Sequence, residues 1–384
     1  MATRVAVAPG LLSWAVERAG WDEQTASRRA PKLEEWVSGR QPTLKQLEKF
    51  ASDTHTPLGL LFLPEPPDEQ VPIPDMRTIG DTGVARPSAD LLDMIYLCQD
   101  RQEWYRAHAL AHGFTPLDFA GSATTSNHPD LVADHIRSLL NLDVGDRAAF
   151  SKREEARRRL IERIEDLGVL VMVSGIVGAS TRRVLRTEEF RGFALADPIA
   201  PLIFINGTDA KAAQIFTMIH ELAHIWLGES ALSDAAVNAK QGKKAELWCN
   251  RVAAEVLVPQ AVLRTDYRGE PTADELDRLA NRYRVSTLVV LKQLLTAHLV
   301  AWEIFTQRYD EESDRIRDIL AARRTGSQGG NYYNTQPLRL SRQFARAVIT
   351  STFEGSTGYR DAYRLLGTKK HETFQGLATA LKVA

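Results

Sequence analysis

Residues 215–228 read IFTMIHELAHIWLG, with His220 and His224 four positions apart and Glu221 directly after the first histidine. Ile215, Phe216, Met218, Ile219, Leu222, Ala223, Ile225 and Trp226 leave no polar face around them, the composition of a helix buried on all sides. The spacing predicts a helix from about Thr208 or Asp209 to Leu227 with Gly228 as its C-terminal residue. Four residues make about one turn, so both imidazoles leave one helix face and can hold a single zinc ion, one per chain. A buried histidine pair needs partners, and a metal satisfies both rings at once. Glu221 then stands beside the metal, where its carboxylate can take a proton from the attacking water that amide hydrolysis needs.

A hydrolytic zinc site takes a third protein ligand and keeps a fourth position open. The metzincin pattern is excluded, because Ser230 stands six residues beyond His224. A second helix, about Lys244 to Val258 and stopped by Pro259, offers Glu246 and Glu255. Nine residues separate them, about half a turn out of phase, so one of the two can face the metal. Glu246 shares its face with Asn250 and the small Ala253 and is favoured; Glu255 is the reserve, or a solvated or supporting charge.

Working outward, three short β-rich runs precede the motif: Val169–Val173, Phe190–Leu195 interrupted by Gly192, and Leu202–Ile205 closing on Asn206-Gly207. Helical patterns cover 88–111, 130–141 and 147–167 before them, and 272–283 and 286–300 after the second zinc helix. Residues 11–63 alternate short helical patterns with tight turns. Pro57, Pro64, Pro66, Pro67, Pro72, Pro74 and Pro87 predict an extended connector. A charged stretch and a Gly326–Gly330 linker lead to a last helical module.

The full chain has 384 residues, enough for two or three domains, with 48 Lys and Arg against 49 Asp and Glu. No chain-wide cationic field exists to hold nucleic acid or an anionic membrane, so any such binding must be local. A 44% hydrophobic and 25% charged composition excludes a disordered or fibrous chain. Cys98 and Cys249 are too few for a disulfide framework. That scarcity and the lack of a long apolar run predict a reducing, cytoplasmic compartment, without export or membrane insertion.

The stretches FRGFALADP (190–198), PLIFIN (201–206), FTMIHELAHIWLG (216–228) and AELWCNRVAAEVLVP (245–259) together resemble the ImmA/IrrE family of zinc metallopeptidases. The resemblance implies a zincin-like domain in which a small sheet flanks the active helix. It also supports Glu246 as third ligand, four residues before Asn250, and implies cleavage of a partner transcriptional repressor. Phe190–Leu195 is then a candidate for the strand that pairs with an extended substrate. Residues 11–63, notably LEEWVSGRQPTLKQLEKFA (33–51), resemble a Cro-like helix-turn-helix domain.

That N-terminal resemblance departs from a DNA reader in charge. Over residues 10–63 seven basic residues meet seven acidic ones, with Glu34 and Glu35 in the presumed recognition segment. Phosphate neutralisation drives DNA affinity, so docking or dimerisation competes with DNA binding as this region's role. Residues 329–384 instead hold eight basic and three acidic residues interleaved with Tyr332, Tyr333, Tyr359 and Tyr363, a pattern that suits nucleic acid or a solvated face. The segment DELDRLANRYRVSTLVVLKQL (274–294) also scans as helix-turn-helix and is read as a wall of the zinc domain.

The sequence thus predicts an α+β, mostly α protein. Its expected parts are a helix-turn-helix-like domain (1–63), a Pro-rich linker (64–87), a helical region (88–165), a zincin-like metallopeptidase domain (166–325) and a basic helical module (326–384). His220, His224 and Glu246 are expected to bind zinc and Glu221 to act as base, in an endopeptidase acting on a repressor or an antitoxin-type partner. The competing expectation is a DNA-binding regulator or antitoxin component whose zinc-fold domain grips a partner. DNA through residues 11–63 and a second copy of the chain complete the expected partners.

Overall fold

The computed structural model describes residues 3–75, 87–145, 152–233, 244–322 and 332–383. The Gly326–Gly330 linker and the start of the helix expected from 147 lie outside these residues. The chain divides into two compact units, Met1–Pro72 with Ala85–Tyr96, and Ile73–Val84 with Leu97–Ala384.

In the first unit α1 (Pro9–Arg18), α2 (Glu23–Arg29), α3 (Leu33–Val37) and α4 (Leu44–Asp53) follow one another closely. Three of the four starts have a local cause. Pro9 opens α1, the Asp22 carboxylate accepts from Thr25 N at 2.7 Å, and Thr43 and Gln46 form a reciprocal capping box. Helices this short are marginal alone, and burial of Leu11, Leu12, Trp36, Leu47 and Phe50 holds them together. The Arg18 guanidinium, almost wholly buried, donates to Glu69 and to the His55 carbonyl, both at 2.7 Å, which fastens the proline-rich stretch to α1.

Helix α5 (Ala89–Ala111) begins at Ser88, whose hydroxyl accepts from Leu91 N at 3.1 Å. In the second unit α6 (Pro129–Leu139) and α7 (Arg153–Asp166) lead to β1 (Leu170–Ser174), β2 (Gly192–Leu195) and β3 (Leu202–Asn206). Next come α8 (Lys211–Leu227), β4 (Ala231–Ser233) and α9 (Lys244–Leu257), then α10 (Gln260–Asp266), α11 (Ala273–Tyr283), α12 (Thr287–Thr296) and α13 (Trp302–Ala322). The chain closes with α14 (Tyr332–Leu340), α15 (Arg342–Phe353), α16 (Tyr359–Leu366) and α17 (His371–Ala380). The protein is mostly helical around one small mixed sheet, the expected α+β class. Among the described residues no helix is long and apolar enough to cross a membrane.

The sheet order is β1-β3-β2-β4, with β1 parallel to β3 and β2 antiparallel to both of its neighbours. Strand side chains alternate between faces. Val171, Val173, Ala194, Ile203 and Ile205 join the core that contains α8, while Phe193 and Phe204 stack at 4.9 Å on the other face. Gln102 on α5 donates to the carbonyls of Leu195 and Ala200 at 2.9 and 2.8 Å, which ties that helix to the sheet's end.

One expectation changes here. Phe190–Leu195 is not a free strand for substrate, because β2 is hydrogen-bonded on one side to β3 and on the other to β4. The outer position belongs to β4, a strand too short for its sequence to announce, and there the Leu232 amide donates to the Pro74 carbonyl at 3.0 Å. In addition, the charged stretch after residue 300 is largely helical, as α13.

Candidate metal centre

Residues 214–226 of α8 are all buried, as their apolar surround requires. Gly228 ends the helix in the left-handed region at φ 70°. The terminal carbonyls of Ile225 and Trp226 accept from Gly121 N at 3.0 Å and Ala123 N at 2.9 Å. A Cβ on Gly228 would lie 3.0 Å from Gly121 Cα, so this close backbone crossing needs glycine there. The end of the motif helix is thereby fixed to a neighbouring loop.

Helix α9 packs along α8 and carries Glu246 into the histidine pair. Glu246 Oε2 lies 3.2 Å from His220 Nε2, Glu246 Oε1 lies 3.0 Å from His224 Nε2, and the two Nε2 atoms are 3.3 Å apart. Four donors arranged tetrahedrally about zinc at about 2.0–2.1 Å stand about 3.3 Å from each other. The two ring nitrogens stand at nearly the donor spacing of such a shell, and each faces a different oxygen of the Glu246 carboxylate at a similar distance. Both histidines are fully buried, and among the described residues neither Nδ1 has a hydrogen-bond partner. Among the described residues, this is the group of acidic, histidine or cysteine side chains whose atoms converge closely enough to hold a metal.

The electrostatics separate two carboxylates. Burial works against ionisation of Glu246, yet the two imidazoles facing it hold its carboxyl well below the usual carboxylate range. Burial, reinforced by the Glu246 charge, pushes the Glu221 carboxyl well above that range against a smaller opposing effect of the Ser233 hydroxyl, and among the described residues no donor reaches either of its oxygens with good hydrogen-bond geometry. The same desolvation lowers His224, against the pull of Glu246. One carboxylate thus pairs with the imidazoles, and the other stands beside them with a raised affinity for a proton.

Glu255 lies outside this cluster. Its carboxylate accepts from Gln260 N at 3.2 Å and from Gln293 Nε2 at 3.1 Å, which joins α9 to α10 and α12. Ser233, absent from the sequence reading, does reach the site: its hydroxyl donates to Glu246 Oε1 at 3.3 Å and lies 3.5 Å from His224 Nε2. The only sequence clue to it is Ala231-Leu232-Ser233, a weak strand signal between Gly228 and the second helix.

Gly192 has a definite function in this arrangement. A Cβ there would meet Thr217 Cγ2 at 2.7 Å, Phe204 O at 2.9 Å and Glu221 Oε1 at 3.0 Å. The glycine lets β2 lie against α8 at the level of Glu221. Gly192→Ala is expected to cost about 1–3 kcal/mol of stability through overpacking and to reduce any activity that depends on Glu221. Thermal unfolding and turnover of the variant check both effects.

A buried His-His-Glu triangle with a second glutamate beside it is the donor set of a single-metal hydrolytic site. Comparison with known proteins agrees with that class: residues 164–295 match the Peptidase M78 family, described as an IrrE N-terminal-like domain. The match supports an ImmA/IrrE-type domain of metallopeptidase kind over that segment. Residues 340–380 match a domain of unknown function, DUF8813. No curated protein and no solved structure matches the chain.

Proposed function

We propose that the chain is a zinc-dependent endopeptidase whose substrate is a partner transcriptional regulator of repressor or antitoxin type. The observation that carries the reading is the convergence of His220 Nε2, His224 Nε2 and the Glu246 carboxylate inside a buried core, with the two ring nitrogens 3.3 Å apart and each facing one of the carboxylate's two oxygens, at 3.2 and 3.0 Å. These three residues would hold the metal. Zinc in such a ligand set polarises a carbonyl as a Lewis acid and makes water acidic enough to attack at neutral pH.

Glu221 supplies the proton transfers. Among the described residues neither of its oxygens has a well-formed hydrogen bond, and burial raises its affinity for a proton, so a carboxylate oxygen takes a proton from the attacking water and returns it to the leaving amine. Glu246 remains ionised against the imidazoles and opposes build-up of positive charge. The Ser233 hydroxyl fixes the orientation of Glu246 through its Oε1. The assignment of a regulator as substrate rests on the resemblance to ImmA/IrrE peptidases, and the charge-balanced helices of residues 9–53 are then read as a docking module for that partner.

Elemental analysis tests the reading. One zinc per chain is expected in the wild type and none in His220→Ala, since two ligands no longer close the shell. Wild-type protein purified without chelators and free of metal would overturn it.

A further inference from the structure

The basic module at the C-terminus finds no use in peptide hydrolysis, yet it helps to build a cavity of about 690 Å³ away from the metal centre. Arg342 and Arg346, one turn apart on α15, form one wall. Lys152, Arg157 and Arg158 at the start of α7 form another, and Lys382 closes the end. Six cations face the carboxylates of Glu154 and Glu155. Arg158 pairs with Glu162 at 3.6 Å, and among the described residues the other five form no ion pair. The Arg157 guanidinium donates to Gln214 Oε1 at 2.7 Å and the Arg346 guanidinium to the Leu381 carbonyl at 3.1 Å, both neutral acceptors, and Arg157 also feels the Glu154 carboxylate; with six cations against two lining carboxylates the cavity keeps an excess of positive charge. Arg157 Nε is buried without a hydrogen-bond partner among the described residues.

Like charges gathered round a cavity repel each other unless an anion joins them. An aromatic ring completes the lining. Tyr333 stands in the wall, and Gly376 on α17 makes room for it: a Cβ at Gly376 would lie 2.5–2.7 Å from the Tyr333 ring and hydroxyl. Glycine inside a helix is less stable than alanine, and here its missing side chain is the space the ring occupies.

We propose that this cavity binds the phosphates of a nucleotide, free or within a single strand of nucleic acid. The guanidinium and ammonium groups take the phosphate oxygens and the Tyr333 ring takes the base. The inference does not depend on the peptidase reading, since no residue of the metal centre lines the cavity.

Fluorescence anisotropy on the full chain tests it, with ATP as competitor and a labelled single-stranded oligothymidylate as probe, at about 50 and 200 mM salt. Lys152→Gln with Lys382→Gln removes two exposed charges and is expected to weaken binding about tenfold at the lower salt. For the strand the double variant also flattens the log affinity against log salt by about 1.5. Tyr333→Leu is expected to weaken ATP several-fold and leave inorganic triphosphate unchanged. ATP and strand binding with similar affinity identifies a mononucleotide ligand, and a strand bound at least a hundredfold more tightly identifies nucleic acid. Absence of binding by either probe below millimolar concentration, or wild-type binding by the double lysine variant, would overturn the proposal.

Discussion

Glu221→Gln is expected to lower turnover about 10³-fold while the metal content stays at the wild-type level. The amide has the shape of the carboxylate but cannot accept a proton, and loss of a general base costs about 10²–10⁴ in rate. Retention of metal follows from charge. Glu221 is fully buried and the Glu246 carboxylate raises its affinity for a proton, so a neutral amide relieves a repulsion and leaves His220, His224 and Glu246 untouched. Turnover of a peptide substrate and metal analysis on the same preparation decide the matter. Activity within tenfold of wild type would remove Glu221 from the reaction, and loss of metal would make it a structural support of the ligands.

The second large effect concerns Glu165 at the end of α7. Its Oε1 accepts both the Ser341 hydroxyl, at 2.5 Å, and the Arg342 amide, at 2.9 Å, which anchors the start of α15 to α7. Burial pushes its carboxyl up to about 7, against the smaller opposing effect of those donors. The folded chain therefore holds this proton more tightly than the unfolded chain, whose carboxyl titrates near 4.5. The stability tied to the proton is fully present below pH 4.5 and disappears as pH rises through about 7, a loss of about 3 kcal/mol for a displacement of that size. Glu165→Gln keeps the accepting oxygen for both donors and has nothing to titrate. Denaturant unfolding from about pH 4 to 8 should then show the variant gaining on the wild type by about 3 kcal/mol. Parallel profiles for the two proteins would show that Glu165 does not govern this dependence.

The metal centre was the most legible part of the sequence because its determinants are local. Two histidines at helical spacing, an all-apolar surround and a glycine stop specify α8 without help from elsewhere. Glu246 was half legible. Helical phase limited the choice to Glu246 or Glu255, and what separates them is contact with Gln260 and Gln293, which brings together three helices. Strand β4 and Ser233 were not legible, since three residues carry no period and exist as a strand through β2. Glu165 was hidden for a related reason: a charge pattern such as KREEARRRLIERIED (152–166) reads as solvated helix, and its burial depends on Ser341, 176 positions away. The N-terminal helices were easier, because Pro9, Asp22 and Thr43 each mark a start in the sequence itself.

The margin of the sheet carries one more consequence. Beyond β2 lies β4, three residues long, and its Leu232 amide is already engaged by the Pro74 carbonyl. Any peptide that seeks to lengthen the sheet at Leu232 must therefore compete with a segment of the same chain. A tethered competitor acts at an effective concentration on the order of millimolar, whereas a free substrate arrives at its own, lower, concentration. Recognition at this margin is thus a rivalry that dilution does not favour, and a partner held elsewhere on the chain enters it on equal terms.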